Sequence, residues 1–302
     1  MAQTAATMTG DFAGYLRPEM AQAYFDEARQ QSAVQQLVRQ VPLGINGQEI
    51  PVTTSKPTAG WVNEGDRKPS SAGGKTLQTI TPRKIAAISV VSAEVVRANP
   101  GGYIEDLRGD ITEAFALAFD AAALHGTDSP FGANNYIAAT SKSVQLGTSA
   151  AADGGVYADV NEGLSLLVND GKRLTGTAFD LIAEPVFNGA VDLNGRPLFV
   201  DSPTVENTAT VRSGRLLGRP SFIGEGIADD GIVGFGGDWS KAVWGVVGGI
   251  SYDVSTQATV TLDGELVSLW EHNLVAVRAE AEYGWLVHDV DAFVNFESAD
   301  GS

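Results

Sequence analysis

Residues 50–91 of the chain read IPVTTSKPTAGWVNEGDRKPSSAGGKTLQTITPRKIAAISVV. The first five are typical of a short edge strand, because their proline lacks the N–H that a central strand needs. Leu77–Thr81 and Lys84–Val91 are typical of strands as well. The intervening residues 55–75 are rich in Ser, Pro, Gly, Lys and Thr. Together the pattern predicts a long two-stranded hairpin with a loose tip. Since an isolated hairpin is marginal in water, we expect it to lie on another surface.

The predicted hairpin differs from the rest of the chain in charge. Residues 55–90 contain six basic and two acidic side chains, a net charge of +4, whereas residues 252–302 contain one basic and ten acidic side chains, a net charge of −9. Opposite charges on two surfaces steer and align their association. The hairpin is therefore predicted to lie on an acidic surface, although two ordinary solvated faces are the alternative. The six basic residues are Lys56, Arg67, Lys68, Lys75, Arg83 and Lys84.

Two helices are predicted, one on each side of this stretch. Pro18 can begin the first, because proline is favoured at the first helical position, and Pro42 ends it. Gly101 opens the second, which Gly126 ends after an apolar stripe of about five turns. No group on that stripe can do chemistry, so we interpret the second helix as a structural spine. The stripes are Met20, Tyr24, Val34, Leu37, Val38 and Val41, and then Ile104, Leu107, Ile111, Phe115, Ala118, Phe119 and Ala122.

Beyond Pro130 the pattern alternates between helix and strand. Val156–Leu167 is typical of a helix, and Phe179–Ala183 is typical of a buried strand. A closing antiparallel set is predicted at the end of the chain. Its strands are Leu266–Trp270, Leu274–Glu280 and Gly284–Val287, and the further strand candidates are Leu198–Val200, Ser221–Gly224 and Gly231–Phe235.

Composition narrows the classes of function. The chain has 302 residues, 43% of them apolar, no cysteine and a formal net charge of −17. It is long enough for a sizeable core, and without cysteine it has no disulfide, thiolate metal site or cysteine nucleophile. No stretch approaches the roughly 20 apolar residues of a membrane span, and a nucleic-acid reader would need a basic face. We therefore expect no membrane and no sequence-specific nucleic-acid binding. The first ten residues lack lysine and arginine, which argues against a secretory signal.

The motifs nominate no catalytic, metal or cofactor site. The three histidines, His125, His272 and His288, lack the spacing of a zinc site. Gly74-Lys75-Thr76 imitates the end of a phosphate-binding loop, but Pro69 stands where its first glycine would be. Carboxylate pairs and five tryptophans leave open a glycan-active enzyme, for which the sequence selects no residues. We expect an absence of enzymatic activity, metal and cofactor.

Seven short motifs follow one another in a recognisable order. They are PTAGWVNEG at 57–65, PRKIAA at 82–87, DAAALHG at 120–126, GRP at 218–220, GDWSKA at 237–242, NLVAVRAE at 273–280 and DAFV at 291–294. In this order they resemble the Hong Kong 97-like major capsid proteins of tailed bacteriophages. Each motif alone is weak, and the specificity lies in their combination from about Arg17 to Phe296, nearly the whole chain.

The resemblance implies an α+β fold and a structural function rather than an enzyme. The protein would self-assemble as hexamers and pentamers into an icosahedral head that encloses double-stranded DNA, built in the host bacterial cytoplasm and retained in the virion. Its partners would be further copies of itself and portal, scaffolding or decoration proteins. The implied segments are an N-terminal arm (1–45), an extended β-hairpin loop (46–95), a peripheral domain with the spine helix (96–135), an axial domain (136–249) and a return to the peripheral domain (250–302).

The resemblance also implies where subunits meet. In some family members a lysine and an asparagine form an isopeptide bond while a glutamate accepts the proton. Lys68 or Lys75, Asn273 and Glu280 match this pattern, although a strand-end turn and an exposed strand residue explain Asn273 and Glu280 more simply. An encapsulin-type bacterial compartment that holds cargo enzymes is the alternative with the same fold. The residues implied to contact a neighbouring subunit are Trp61, Arg67, Lys68, Lys75, Arg83 and Lys84.

Overall fold

The computed structural model describes residues 32–98, 100–150, 153–191, 197–201, 211–262 and 264–299. The helices in these ranges are α1 (Ala33–Leu37), α2 (Ala93–Ala98), α3 (Pro100–Leu124), α4 (Val156–Asn169) and α5 (Glu184–Gly189). The strands are β1 (Arg39–Pro42), β2 (Gln48–Ser55), β3 (Gly74–Ile80), β4 (Arg83–Ser92), β5 (Ser143–Leu146), β6 (Gly176–Asp180), β7 (Phe199–Asp201), β8 (Val211–Leu216), β9 (Arg219–Gly224), β10 (Ile232–Gly237), β11 (Ala242–Val246), β12 (Ser251–Ser255), β13 (Thr259–Leu262), β14 (Glu265–Ser268), β15 (Leu274–Val287) and β16 (Phe293–Ser298).

The longest strand, β15, organises the first sheet. It pairs antiparallel with β4 over Leu274–Tyr283, with β12, and with β11 at its C-terminal end. β1 extends this sheet by pairing in parallel with β11. Because side chains alternate across a strand, every second residue of β15 from position 277 to 285 faces one side, and these residues are buried in the core that includes α3. They are Val277, Ala279, Ala281, Tyr283 and Trp285.

Phe119 lies at the centre of the contact between α3 and this sheet. Its ring centroid is 6.1 Å from that of Trp244, 5.0 Å from that of Tyr283 and 6.1 Å from that of Trp285. Phe131, which follows α3, packs edge-on at 6.2 Å. Aromatic pairs at these separations stabilise beyond their buried area, so this aromatic cluster fixes α3 on β15.

The second sheet has seven strands in the order β5-β16-β10-β6-β9-β8-β7. Helix α4 packs on it through Val160 and Leu167, which share a buried cluster with Phe179 and Phe296. Gly163 lets α4 approach β16 closely, because a Cβ at position 163 would lie 2.8 Å from the ring of Phe296. One apolar core includes α3 and residues of both sheets, among them Trp285 of the first and Phe222 and Phe293 of the second, and another core of the second sheet lies under α4.

The predicted hairpin forms only in part. β2 and β3 pair antiparallel from Gln48 with Ile80 to Ser55 with Gly74, in a two-stranded sheet of their own. The prediction that Lys84–Val91 continues this hairpin is wrong, because β4 pairs instead with ten residues of β15. The chain turns between Ile80 and Arg83, so the hairpin leaves the first sheet at its edge.

Three further predictions about the elements are corrected. The first helix was expected to continue to Val41, but α1 ends at Leu37 and β1 follows, because its backbone pairs with β11; the predicted start at Pro18 lies outside the described residues. The strand predicted over Phe179–Ala183 ends at Asp180, whose carboxylate caps a 3-10 turn by accepting from Ile182 N at 3.0 Å. The last two strands of the closing set are a single strand, β15, while β14 pairs with β13 alone.

The sheets also cross the predicted segment boundaries. β11 falls in the predicted axial segment, yet it lies in the first sheet with β15. β16 falls in the predicted peripheral return, yet it lies in the second sheet between β5 and β10. The chain therefore passes between the sheets once more than the predicted segments require.

Candidate assembly surfaces

The tip of the β2–β3 hairpin, residues 56–73, is exposed to solvent throughout. Trp61 lies in this tip, and its indole is fully exposed, at 104% of its reference surface. A fully hydrated indole contributes no apolar burial to its own subunit, and tryptophan is the residue type most enriched in binding hot spots. The tip is therefore a candidate contact surface with Trp61 as its apolar anchor.

Two serines give the exposed tip a defined neck. Gly74 N donates to Ser55 Oγ at 2.7 Å, which closes the hairpin end of β2 and β3. Further out, Thr58 N donates to Ser71 Oγ at 2.7 Å, and that hydroxyl donates to Thr58 O at 3.1 Å. These hydrogen bonds join the two sides of the tip, which has no apolar core of its own. The sequence analysis missed both serines, although serine hydroxyls that bond to nearby backbone are a known turn signal.

Unlike the exposed tip, the base of the hairpin packs in an apolar core. Ile80 is fully buried in a small apolar cluster with Ile50 and Leu43. Gly47 makes the turn into β2 at φ +82°, and a Cβ there would lie 2.5 Å from Ile80 O, so only glycine fits. His288 beside β15 contacts Gln78 Oε1 through Nδ1 at 2.6 Å. Burial lowers the pKa of His288, helped by two nearby cations, so the ring is neutral at pH 7.

The predicted contact cations divide into two groups. For five of them, all except Lys84, no ion pair with a carboxylate occurs in the part of the chain that the structure describes. Lys84 Nζ instead lies 3.1 Å from Glu280 Oε2 of the same subunit. Four of the five, all but Arg83, lie in the tip or on β3 next to it. Positive charge without an internal partner is thus concentrated at the end of the hairpin.

The acidic surface is partly neutralised within the subunit. Arg278 Nη2 donates to Asp253 Oδ2 at 2.7 Å across β15 and β12, and Arg278 Nε lies 3.7 Å from Glu280 Oε1. Glu280 therefore faces both Arg278 and Lys84. Arg278 is already included in the net charge of −9 for residues 252–302, and the pair with Lys84 lowers further the negative charge that this surface offers to a neighbour.

The residues of the possible cross-link lie far apart in one subunit. Asn273 occupies a turn at φ +51°, and its carbonyl accepts from Ala93 N at 2.9 Å. Glu280 lies seven residues further along, on β15, which at about 3.3 Å per residue is roughly 20 Å away. A carboxylate at that distance cannot accept a proton during attack on Asn273. The three groups could meet only if they came from at least two subunits.

A second exposed apolar surface lies beside the β13–β14 hairpin. Leu266 on β14 is 77% exposed, and Trp270 just after the strand is 73% exposed. By contrast, Trp239, Trp244 and Trp285 are buried. The sequence did not distinguish the two exposed tryptophans from the three core ones. Three of the five tryptophans are buried in the core and cannot line a sugar-binding groove, which weakens that hypothesis.

Within the described ranges, histidine, aspartate and glutamate side chains nowhere gather in a group of three or more that could hold a metal ion. Among the helices of the same ranges, none combines the length and the apolar character needed to cross a membrane.

Comparison with known proteins decides the family. The family model described as "Phage capsid family" matches residues 13–297. The chain belongs to the phage capsid family. Two relatives described as "Probable major capsid protein gp17" agree with this: that of Mycobacterium phage D29 is 50% identical over 97% of this chain and 92% of its own length, and that of Mycobacterium phage L5 is 49% identical over 97% and 93%.

Solved structures share the fold of this capsid family member. A chain from Mycobacterium phage Adephagia superposes with a TM-score of 0.69 at 18% identity, covering 89% of this chain and 90% of the other. A chain from Microbacterium phage Oxtober96 gives 0.68 at 20% identity, covering 89% and 91%. The predicted resemblance to capsid proteins of tailed phages is confirmed, as is a mixed fold of helices and strands. The comparisons give no support to the encapsulin-type alternative.

Proposed function

We propose that this chain is the major capsid protein of a tailed phage, and that it assembles as hexamers and pentamers into an icosahedral head around double-stranded DNA. The observation that carries the proposal is the match of nearly the whole chain to the capsid family, with relatives about half identical that are named major capsid proteins. The exposed hairpin supplies a physical reason for assembly, because its own subunit leaves the tip uncovered.

We assign each element of the structure to one part of a capsid subunit. The hairpin β2–β3 is the extended loop, and α3 is the spine helix. The first sheet with α3 forms the peripheral domain, and the second sheet with α4 forms the axial domain. The N-terminal arm includes α1 and β1. This assignment is supported by sheet membership and by the apolar core that α4 shares with the second sheet.

In the assembled shell, the tip would lie on the peripheral domain of a neighbouring subunit. Trp61 would enter an apolar site there, while Arg67, Lys68 and Lys75 would face carboxylates of the neighbour. Arg83 would support this contact from the base, and Lys84 has less support because it already pairs with Glu280. The arrangement uses charge for alignment and the tryptophan for affinity.

The remaining parts of the proposal follow from charge and family. A net charge of −17 disfavours tight contact with DNA phosphates, which suits a container that must fill and empty. The chain would work as a structural protein, not as an enzyme, in the virion after assembly in the host bacterial cytoplasm. Portal, scaffolding or decoration proteins would be its other partners.

The content of purified particles tests this function. We expect regular closed particles that protect double-stranded DNA from nuclease. Particles that instead contain cargo proteins and no genome would favour a compartment shell. A monomer with a titratable hydrolytic activity on glycans would favour the enzyme alternative.

Charge reversal in the hairpin is expected to slow assembly. Replacing Lys68→Glu and Lys75→Glu together should reduce the initial rate at low salt by about tenfold or more, because electrostatic steering contributes at least that much to association rates. Light scattering against time gives the rate. The difference from wild type should shrink towards 1 M salt, where the screening length is only about 3 Å.

Two controls accompany that measurement. Arg173→Glu reverses an exposed cation outside the hairpin and should leave the rate near that of the wild type. The wild-type protein itself should assemble more slowly as salt rises. Equal rates from low to high salt, or an equal loss in the Arg173 variant, would reject electrostatic docking of the loop.

Covalent cross-linking has a distinctive signature on this geometry. Because Asn273 and Glu280 of one subunit lie roughly 20 Å apart, any lysine–asparagine bond requires groups from separate subunits. Shells that carry it should give a ladder of multiples of the monomer mass on a denaturing gel, and Asn273→Ala should abolish the ladder. A single monomer band from assembled wild-type shells would end the hypothesis.

A further inference from the structure

Asp120 is a completely buried carboxylate that joins two distant parts of the chain. It lies on α3 with 1% of its surface exposed. Its Oδ1 accepts from Ser32 Oγ at 2.6 Å, and its Oδ2 accepts from Ala33 N at 2.8 Å. Ser32 Oγ in turn accepts from Gln35 N at 3.1 Å and so caps α1. One side chain on α3 therefore holds the point at which the N-terminal segment enters α1.

No cation in the described ranges pairs with this carboxylate. α1 has the sequence AVQQL and bears no charge. On β15, the ionisable group that neighbours Asp120 is Tyr283. Burial raises the pKa of the Tyr283 hydroxyl, which therefore stays neutral. Tyr252 on β12 lies next to Tyr283, and the Arg108 guanidinium sits over the Tyr252 ring at 5.5 Å.

Arg108 is too far away to neutralise Asp120. It lies twelve residues earlier on α3, which is about 18 Å along a helix. The acidic residues Asp110 and Glu113 of α3 lie ten and seven residues before Asp120, and they would oppose a second negative charge rather than stabilise it. Among the residues that the structure describes, ionised Asp120 thus depends on hydrogen-bond donors from Ser32, Ala33 and Val34 and on no opposite charge.

Burial raises the pKa of Asp120 to about 7, even though the hydrogen bonds from Ser32, Ala33 and Val34 favour the ionised form and lower it. The ordinary value for an exposed aspartate is about 3.9. The carboxyl group is therefore largely protonated below neutral pH while α1 is docked. When α1 moves away and water reaches the carboxyl group, its pKa returns towards the ordinary value, and the group loses its proton at neutral pH.

We propose that Asp120 is a proton-operated clasp that fixes Ser32 and α1 against α3. The protonated clasp holds firmly, and ionisation loosens it, because the buried charge regains water only when α1 moves away. The direction follows from linkage: a raised pKa in the docked state makes docking strongest below about pH 4, progressively weaker from pH 4 to 7, and constant above that. The inference does not depend on the proposed capsid function.

Hydrogen exchange of the α1 amides tests the clasp in the purified full-length protein. The backbone bonds Gln36 N to Ser32 O and Val38 N to Val34 O report on docking. After correction for the intrinsic pH dependence of exchange, we expect their protection to fall up to about tenfold per pH unit between pH 4 and 7 and to level off above pH 7. Amides of α4, which packs in the other core, should show no such slope.

The variant Asp120→Asn keeps the shape and the acceptor oxygen but cannot ionise. Its α1 protection should be independent of pH and higher than that of the wild type above pH 7. A wild-type protection that stays flat with pH would overturn the clasp, and so would an unchanged slope in the Asn variant. A slope shared equally by α4 would assign the effect to global unfolding and would also overturn it. If the variant does not fold, the wild-type comparison of α1 with α4 decides alone.

Discussion

Trp61→Ala is expected to prevent shell formation at subunit concentrations at which the wild type assembles. The side chain is fully exposed in the isolated subunit, so its removal should change the free energy of unfolding by no more than about 0.5 kcal/mol. An anchoring tryptophan in an interface contributes about 2 kcal/mol or more, roughly a 30-fold change in each contact, and a shell repeats that contact in every subunit. Light scattering measures assembly, and thermal unfolding of the unassembled subunit measures the fold.

The conservative variant Trp61→Phe separates an apolar anchor from a requirement for the tip itself. Phenylalanine keeps an aromatic ring and should restore part of the assembly that alanine loses. Trp270→Ala removes the other exposed indole and provides a comparison of equal size at a different surface. Normal assembly of Trp61→Ala would mean that this residue is not an anchor.

Phe119→Ala is expected to destabilise the subunit by about 3–5 kcal/mol, the usual cost of emptying a large aromatic site in a core. The ring is 2% exposed and touches the rings of Phe131, Trp244, Tyr283 and Trp285. Its loss would detach α3 from β15 as well as open a cavity. Chemical denaturation of the unassembled protein gives the change in the free energy of unfolding.

Tyr157→Ala is the matched control for that variant. Tyr157 is also an aromatic residue on a helix, but it is 53% exposed on α4, so its truncation should cost far less. An equal loss in the two variants would contradict a central role for the Phe119 cluster.

Periodicity in the sequence was enough to predict α3 and most of its buried face, although Ala118 of the predicted stripe is exposed. The apolar stripe recurs with the helical period over many turns, and Gly126 ends it where φ is +78° and a Cβ would lie 2.6 Å from the Tyr136 ring. The partner of β4 could not be predicted in this way. An alternating strand pattern does not say which edge a strand joins, and Leu274–Tyr283 lies nearly two hundred residues further along.

The candidate contact surface was predictable in composition but not in detail. A polar, proline-rich and glycine-rich segment around Trp61 indicated an exposed tip, and counting charges found its positive character. The pair Lys84–Glu280 spans 196 residues and forms because β4 and β15 are neighbours, a fact of topology. Asp120 was missed, although it shares one helix face with Thr112 and Ala116, which are also buried; a carboxylate at that spacing is the available signal.

Electron microscopy of the purified full-length protein under assembly conditions tests the central claim most directly. The account predicts closed shells of uniform diameter in which density for the hairpin tip, residues 56–73, runs from one subunit onto the surface of the next. A homogeneous population of single subunits with that tip folded against its own body would contradict it.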